Sequence, residues 1–137
     1  MVASGIETAL LVGARILFGA VITFTGLNHF RGLEEMAGYA EFKGVPAPTL
    51  SVLVSGAVLT LGGLGIIVGV FPLLSALAVA GFLLVAALTM HDFWAVEEGD
   101  RENERNHFLK NVSMAGGALA IAALSTQSWM LSLGISL

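Results

Sequence analysis

Leu50–Phe71 reads LSVLVSGAVLTLGGLGIIVGVF and, one proline later, Leu73–Met90 reads LLSALAVAGFLLVAALTM, with no charged residue in either stretch. About 20 consecutive apolar residues are what an α-helix needs to cross the ~30 Å hydrocarbon layer of a bilayer. Pro72 is tolerated in the first turn of a helix but not in its interior. The pair therefore predicts a tight transmembrane hairpin, with spans over 50–71 and 73–91. In its first arm Gly65 and Gly69 form a small-xxx-small pair, a spacing that lets helix backbones approach closely.

Outward from the hairpin the same reasoning finds two more spans. Upstream, 8–29 is apolar except for Arg15 and ends at Asn28 and His29. Met1–Glu7 holds no Lys or Arg, so the basic region that opens a secretory signal is missing and a retained helix is expected. Downstream, 108–128 is apolar around Gly116 and Gly117 and leaves the membrane at a patch running from Ser125 to Trp129. Met130–Leu137 either prolongs this helix or lies on the membrane surface. The stretch 92–107, with Asp92, Glu97, Glu98, Asp100, Arg101, Glu102, Glu104 and Arg105, is too polar for hydrocarbon and is expected to be a connecting loop.

Between the first span and the hairpin, Leu33, Met36, Ala37 and Ala40 recur at helical spacing opposite Glu34, Glu35 and Glu41. That pattern predicts a short amphipathic helix at the interface. Gly44 is placed to end it as a C′ residue, and Pro46 and Pro48 prevent its continuation. The fold class is thus an all-α membrane protein, a four-transmembrane-helix bundle with an interfacial helix between helices one and two, in one domain over 1–137.

Composition agrees. Of 137 residues 56% are hydrophobic and only 12% charged, about half the share of a soluble domain, and the mean hydropathy is +0.88. With no cysteine, disulfides, thiolate zinc sites, iron–sulfur clusters and thiol nucleophiles are excluded. A net charge of −4 argues against a nucleic-acid partner. Arg31 and Lys43 lie in the connection 30–49, and Arg101, Arg105 and Lys110 lie in or beside 92–107. The positive-inside rule therefore assigns both connections to the cytoplasm and both termini to the outside.

This topology gathers the ends of helices one and three and the start of helix four at one membrane face, and all three histidines fall there. His29 follows Asn28, His91 precedes Asp92, and His107 stands one turn before Asn111. Imidazoles at bilayer-boundary depth can hydrogen-bond a quinone carbonyl, carry protons or ligate haem, or can simply cap helix ends in interfacial water. No spacing matches a metal signature such as HExxH, and no catalytic residue is assignable. Arg15 is the other outlier: at such depth a guanidinium costs at least ~2.5 kcal/mol unless it snorkels or is paired. Glu7, a lipid headgroup or a ligand's anionic group or carbonyl is its expected partner. The ligand-binding candidates are Arg15, Asn28, His29, His91, Asp92, His107 and Asn111.

Met90, His91, Asp92, Phe93 and Trp94, joined through the polar stretch to His107, Phe108, Leu109, Lys110 and Asn111 and then to Gly116 and Gly117, resemble the DoxX family of small four-helix membrane proteins. Arg15, Gly19, Gly26 and His29, the Gly44–Pro48 linker and the glycine-rich second span extend the resemblance over nearly the whole chain. The resemblance implies the four-helix fold and an association with membrane redox systems, such as thiosulfate oxidation delivering electrons to quinone or a partnership with thiol and superoxide enzymes. It carries over no catalytic residues.

Three readings follow. The first is a redox-associated integral subunit that binds a quinone or similar lipophilic carrier near His29, His91 and His107, a bis-histidine haem being its variant. The second is a non-enzymatic scaffold, assembly or partner-binding module, supported by small residues for helix packing and the lack of a catalytic constellation. A narrow four-helix bundle with span charge confined to Arg15 makes a transporter the weakest. Expected partners are the bilayer and a redox protein, and the small-residue faces admit a homo-oligomer.

Overall fold

The computed structural model describes residues 5–137; Met1–Ser4, part of the stretch read as lacking a leader, lie outside the described residues. Five α-helices follow one another: α1 (Gly5–Arg31), α2 (Leu33–Phe42), α3 (Pro48–Val68), α4 (Pro72–Met90) and α5 (Glu98–Ala123), the last continued by a 3-10 turn at Leu124–Thr126. Four of them, all but α2, are long and apolar enough to cross a membrane. Pro48 and Pro72 each open a helix, after Ala47 and Phe71 in left-handed backbone conformation, so the hairpin is as tight as Pro72 predicts.

α2 is the expected amphipathic helix. Ala37 and Ala40 are buried with Val52 of α3, and Leu33, Met36, Val45 and Met90 pack around them. Its end is a Schellman motif: Gly44, at φ 76°, donates its N–H to the Glu41 carbonyl and Val45 donates to Ala40, each over 2.9 Å. Val45 also packs on the cluster that contains Ala40, the apolar contact that accompanies this motif.

The polar stretch 92–107 is not a loop throughout. Only the residues before Glu98 form a connection, and α5 starts there, running about 15 Å along the chain axis before the apolar residues begin. Glu98 and Asp100 in the first turn complement the positive end of the helix dipole. Glu98 with Arg101, and Glu102 with Arg105, stand at i, i+3 spacing, which stabilises an exposed helix. High polarity excluded this segment from hydrocarbon, but it did not exclude helix.

Helices pack in the order α1–α3–α4–α5, with α2 laid against α3. The α1–α3 seam is made by two triplets of identical spacing: Gly19, Thr23 and Gly26 against Gly56, Thr60 and Gly63. A Cβ on Gly26 would stand 2.5 Å from the Thr60 amide nitrogen, and one on Gly63 would stand 2.7 Å from the Gly19 carbonyl oxygen. Only glycine permits that approach. The hydroxyls of Thr23 and Thr60 are buried there without a hydrogen-bond partner. Farther along, Ala76, Val79, Ala80 and Leu83 of α4 meet Ala115, Ala118, Ile121 and Ala122 of α5 in the main core.

Gly65 lets α3 and α4 approach closely, as its small-xxx-small spacing predicts, whereas Gly69 ends α3. Gly65 faces Ser75 and the Val70 carbonyl across the hairpin, and Gly69, at φ 70°, caps α3 against Ser132. The chain after α5 neither prolongs the helix nor lies free on the surface. It turns through Leu131, at φ 53°, and returns to the hairpin, where Leu133 donates its N–H to the Val68 carbonyl at 2.7 Å and Phe71 donates to Ile135 at 2.6 Å.

Candidate functional site

The face where α1 and α4 end and α5 begins carries a cluster of ionisable groups. His91 donates Nδ1–H to Glu104 at 2.9 Å, and its ring stacks on that of His107 with centroids 5.0 Å apart. Lys110 donates to Nδ1 of His107 at 3.2 Å, which leaves the His107 proton on Nε2. Tyr39 of α2 donates to Glu104 at 3.2 Å, and Lys43, just past α2, bonds Asp92 at 2.5 Å. Within this cluster the hydrogen bond from Lys43 is the main cause holding the Asp92 carboxyl below its ordinary value. Burial pulls Lys43 downward, yet the bond to Asp92 and the Tyr39 and Asp92 charges carry it above the usual ammonium range. Burial, then Glu104, pushes the Tyr39 phenol up.

His91, Asp92 and His107 are thus brought together, while Asn28 and His29 are not part of the group. His29 donates Nδ1–H to the Thr25 carbonyl of its own helix at 2.8 Å and meets the edge of Phe82 at 6.0 Å between ring centroids. Asn28 is half-buried and uses its carbonyl to accept from Gly32. Asn111, one turn inward of His107, is 7% exposed. Haem held by two histidines requires two ring nitrogens aimed at one point from opposite sides. The parallel stack of His91 on His107, with His29 turned to Thr25, does not offer that arrangement. Among the described residues no group of three His, Asp or Glu side chains is placed to hold a metal ion.

Arg15 belongs to the other end of the molecule. It is 1% exposed and donates to four carbonyls: Nε to Ile66 at 3.1 Å, Nη2 to Ile67 at 2.6 Å and to Leu131 at 3.1 Å, and Nη1 to Met130 at 2.6 Å. Its guanidinium also lies 4.7 Å from the ring centroid of Trp129. The last four carbonyls of a helix have no partner within it, and in a bilayer no water supplies one. For α3 the account closes: Gly65 accepts from Gly69 and Val70, Ile66 and Ile67 from Arg15, and Val68 from Leu133. The guanidinium neither snorkels nor waits for an anion; it caps α3 and holds the C-terminal strap.

One feature was not expected from the sequence. α1 and α5 are the outer members of the row, and between them lies a cleft of about 1030 Å³, open on one side. Its walls are Leu11, Ala14, Phe18 and Ile22 of α1 and Met114, Gly117 and Ile121 of α5, and its polar groups, Glu7, Thr8, Gln127 and Ser128, sit at the Arg15 end. The signal was present as two stripes at helical spacing, 7–11–14–18 on α1 and 114–117–121–124 on α5. Which partners such stripes meet is set by the packing order, which periodicity does not reveal. Continued by one or two turns, they carry Thr25 on α1 and Lys110 with His107 on α5, at the histidine face.

Four membrane-capable helices, a polar cluster at one face and an apolar cleft between the outer helices define a small multi-pass integral membrane protein. The chain belongs to the DoxX family: the family's model matches residues 10–92, more than half of the chain. The matched stretch includes Arg15, Asn28, His29, His91 and Asp92 and stops before His107 and Asn111. No protein of curated function and no solved structure matches the chain.

Proposed function

We propose that this membrane protein is an integral subunit associated with a redox system and binds a quinone or similar lipophilic carrier between α1 and α5. The observation that carries this reading is the cleft. A volume of about 1030 Å³ with mainly apolar walls suits a long-chain ligand, and its side opening admits such a ligand directly from the bilayer. At the Arg15 end of the cleft Thr8, Gln127 and Ser128 supply hydrogen-bond donors for the carbonyls of such a carrier's head. A redox protein docks on the exposed polar turns of α5, and both polar connections face the cytoplasm.

Titration of the protein, reconstituted in nanodiscs, with a benzoquinone bearing a ten-carbon chain tests the reading. Saturable binding near one equivalent is expected, with at least tenfold loss in Gly117→Leu. At Gly117 an added Cβ would meet only the Phe18 ring, at 3.5 Å, so the larger side chain fills the cleft without disturbing backbone. Binding that never saturates, or that Gly117→Leu leaves unchanged, rejects the reading.

A second reading has an observation of its own. The histidine-face cluster is largely satisfied internally, and through Tyr39–Glu104 and Lys43–Asp92 it ties α2 to the α4–α5 connection. That is what a non-enzymatic scaffold or partner-binding module needs, a rigid polar face. Under it, a partner protein co-purifies in fixed ratio and Glu104→Gln with Asp92→Asn releases that partner.

A further inference from the structure

Resting on the carrier-binding reading, we infer that the cleft takes a single-chain amphiphile with a hydroxyl or carbonyl head, held with its head at the C-terminal strap and its chain pointing toward the histidine face.

Three observations carry this. First, the cleft is polar at one end only. Glu7, Thr8, Gln127 and Ser128 gather there, whereas toward the histidine face the lining is apolar, with Phe18, Val21, Ile22 and Met114. A buried polar head needs hydrogen-bond partners and an apolar chain needs none, so the orientation follows from where the partners are. Second, the side chains at that end include Thr8, Gln127 and Ser128, neutral groups that both donate and accept hydrogen bonds. A hydroxyl or carbonyl head therefore finds its hydrogen-bond partners there without a full charge being desolvated.

Third, the strap that forms the polar end is fixed in place. Gln127, Ser128 and Met130 line the cleft, and the Met130 and Leu131 carbonyls are held by Arg15. Leu131 keeps a left-handed backbone conformation at φ 53° to present its carbonyl, a conformation that costs a non-glycine residue about 1–3 kcal/mol and persists only where the surroundings hold it. Arg15 is therefore a positioning residue for the head end, acting through the strap rather than on the ligand.

The two tryptophans report on opposite ends. Trp129 lies in the strap under Arg15, and Trp94 packs on Phe93 and Phe108 at the histidine face. In nanodiscs, Trp94→Phe leaves Trp129 as the sole emitter and Trp129→Phe leaves Trp94. Hexadecanol carrying a nitroxide beside the hydroxyl, or at the far end of the chain, serves as quencher. Only the component displaced by unlabelled hexadecanol and absent in Gly117→Leu is counted. Trp129 is expected to be quenched several-fold more by the head label than by the chain-end label, and Trp94 in the reverse order. If Trp129→Phe does not fold, the comparison in Trp94→Phe decides alone.

Stronger quenching of Trp129 by the chain-end label overturns the orientation while leaving carrier binding intact. Hexadecyl phosphate competing as well as hexadecanol overturns the head chemistry. Absence of any saturable component overturns the cleft as a ligand site and the carrier reading with it; cross-links between α1 helices of two copies then assign the cleft to a second chain.

Discussion

Arg15 and Met130 stand 115 positions apart in sequence, yet the guanidinium of one donates to the carbonyl of the other at 2.6 Å. The same side chain closes the end of α3 through Ile66 and Ile67, so one residue fastens the first helix, the end of the third and the C-terminal strap.

Arg15→Ala should accordingly remove several donors at once. Each of the four buried carbonyls left without a partner costs about 1 kcal/mol or more, giving a summed loss of at least about 4 kcal/mol, measurable by denaturant unfolding in micelles. Arg15→Lys should recover only part, because a single ammonium cannot span the α3 carbonyls and the strap together. Removing residues 127–137 in the Arg15→Ala background should cost less than in wild type, since the two changes break the same contacts. Equal costs in both backgrounds would contradict the fastening role.

Small changes in the α1–α3 seam and on the open side of α5 should have opposite outcomes. Gly26→Ala drives a methyl onto Thr60, 2.5 Å from its amide nitrogen, and overpacking of this kind costs about 1–3 kcal/mol. Gly116→Ala, where an added Cβ meets nothing within 4 Å, should be neutral or stabilising by up to ~1 kcal/mol through helix propensity. Thr60→Val keeps the shape and removes a buried hydroxyl that has no partner, so it too should be neutral or stabilising. Thermal stability of the three variants in one detergent checks the order.

These variants also mark what the sequence discloses. Spans follow from hydropathy because a bilayer punishes charge, and α2 follows from its period and Gly44. The matching triplets Gly19–Thr23–Gly26 and Gly56–Thr60–Gly63 are visible in the sequence, but only antiparallel packing makes them partners. The partners of Arg15 were hidden for a different reason: they are backbone carbonyls, which every residue owns and no side-chain pattern announces. The helical start of α5 was hidden because polarity reports solvent contact and not backbone conformation. Of the candidate site, the meeting of His91, Asp92 and His107 followed from topology, whereas the separation of His29 depends on its rotation toward Thr25 and Phe82.

The Lys43–Asp92 bond makes the docking of α2 dependent on pH in a definite direction. A carboxyl held below its ordinary value in the folded state contributes stability that is present above that value and lost as pH falls through the folded one. A raised ammonium contributes below its ordinary value and loses the contribution only as pH rises through the folded one. α2 should therefore stay docked through neutral pH and loosen below about pH 4, under the ordinary aspartate value. Hydrogen exchange over Leu33–Phe42 should show this acid loosening, and Asp92→Asn should show faster exchange already at neutral pH. Unchanged protection in Asp92→Asn would mean that Ala37, Ala40 and Val52 hold α2 without the ion pair.

Orientation is the remaining asymmetry, and the absence of native cysteine makes it directly measurable. Gly99 lies in the first turn of α5 with no atom within 4 Å of an added Cβ, so Gly99→Cys should fold normally. Ser128→Cys marks the opposite end, beside the strap. Arg31, Lys43, Arg101, Arg105 and Lys110 all stand at the histidine face, and short connections rich in Lys and Arg are retained in the cytoplasm. In intact cells a membrane-impermeant maleimide should label Ser128→Cys and spare Gly99→Cys until the membrane is opened. The reverse pattern would place the histidine cluster outside, where its protons exchange with the external medium and a redox partner would have to be extracytoplasmic. Labelling of both variants in intact cells would instead mean that the chain inserts in both directions, as the acidic residues sharing these connections with the five bases would allow.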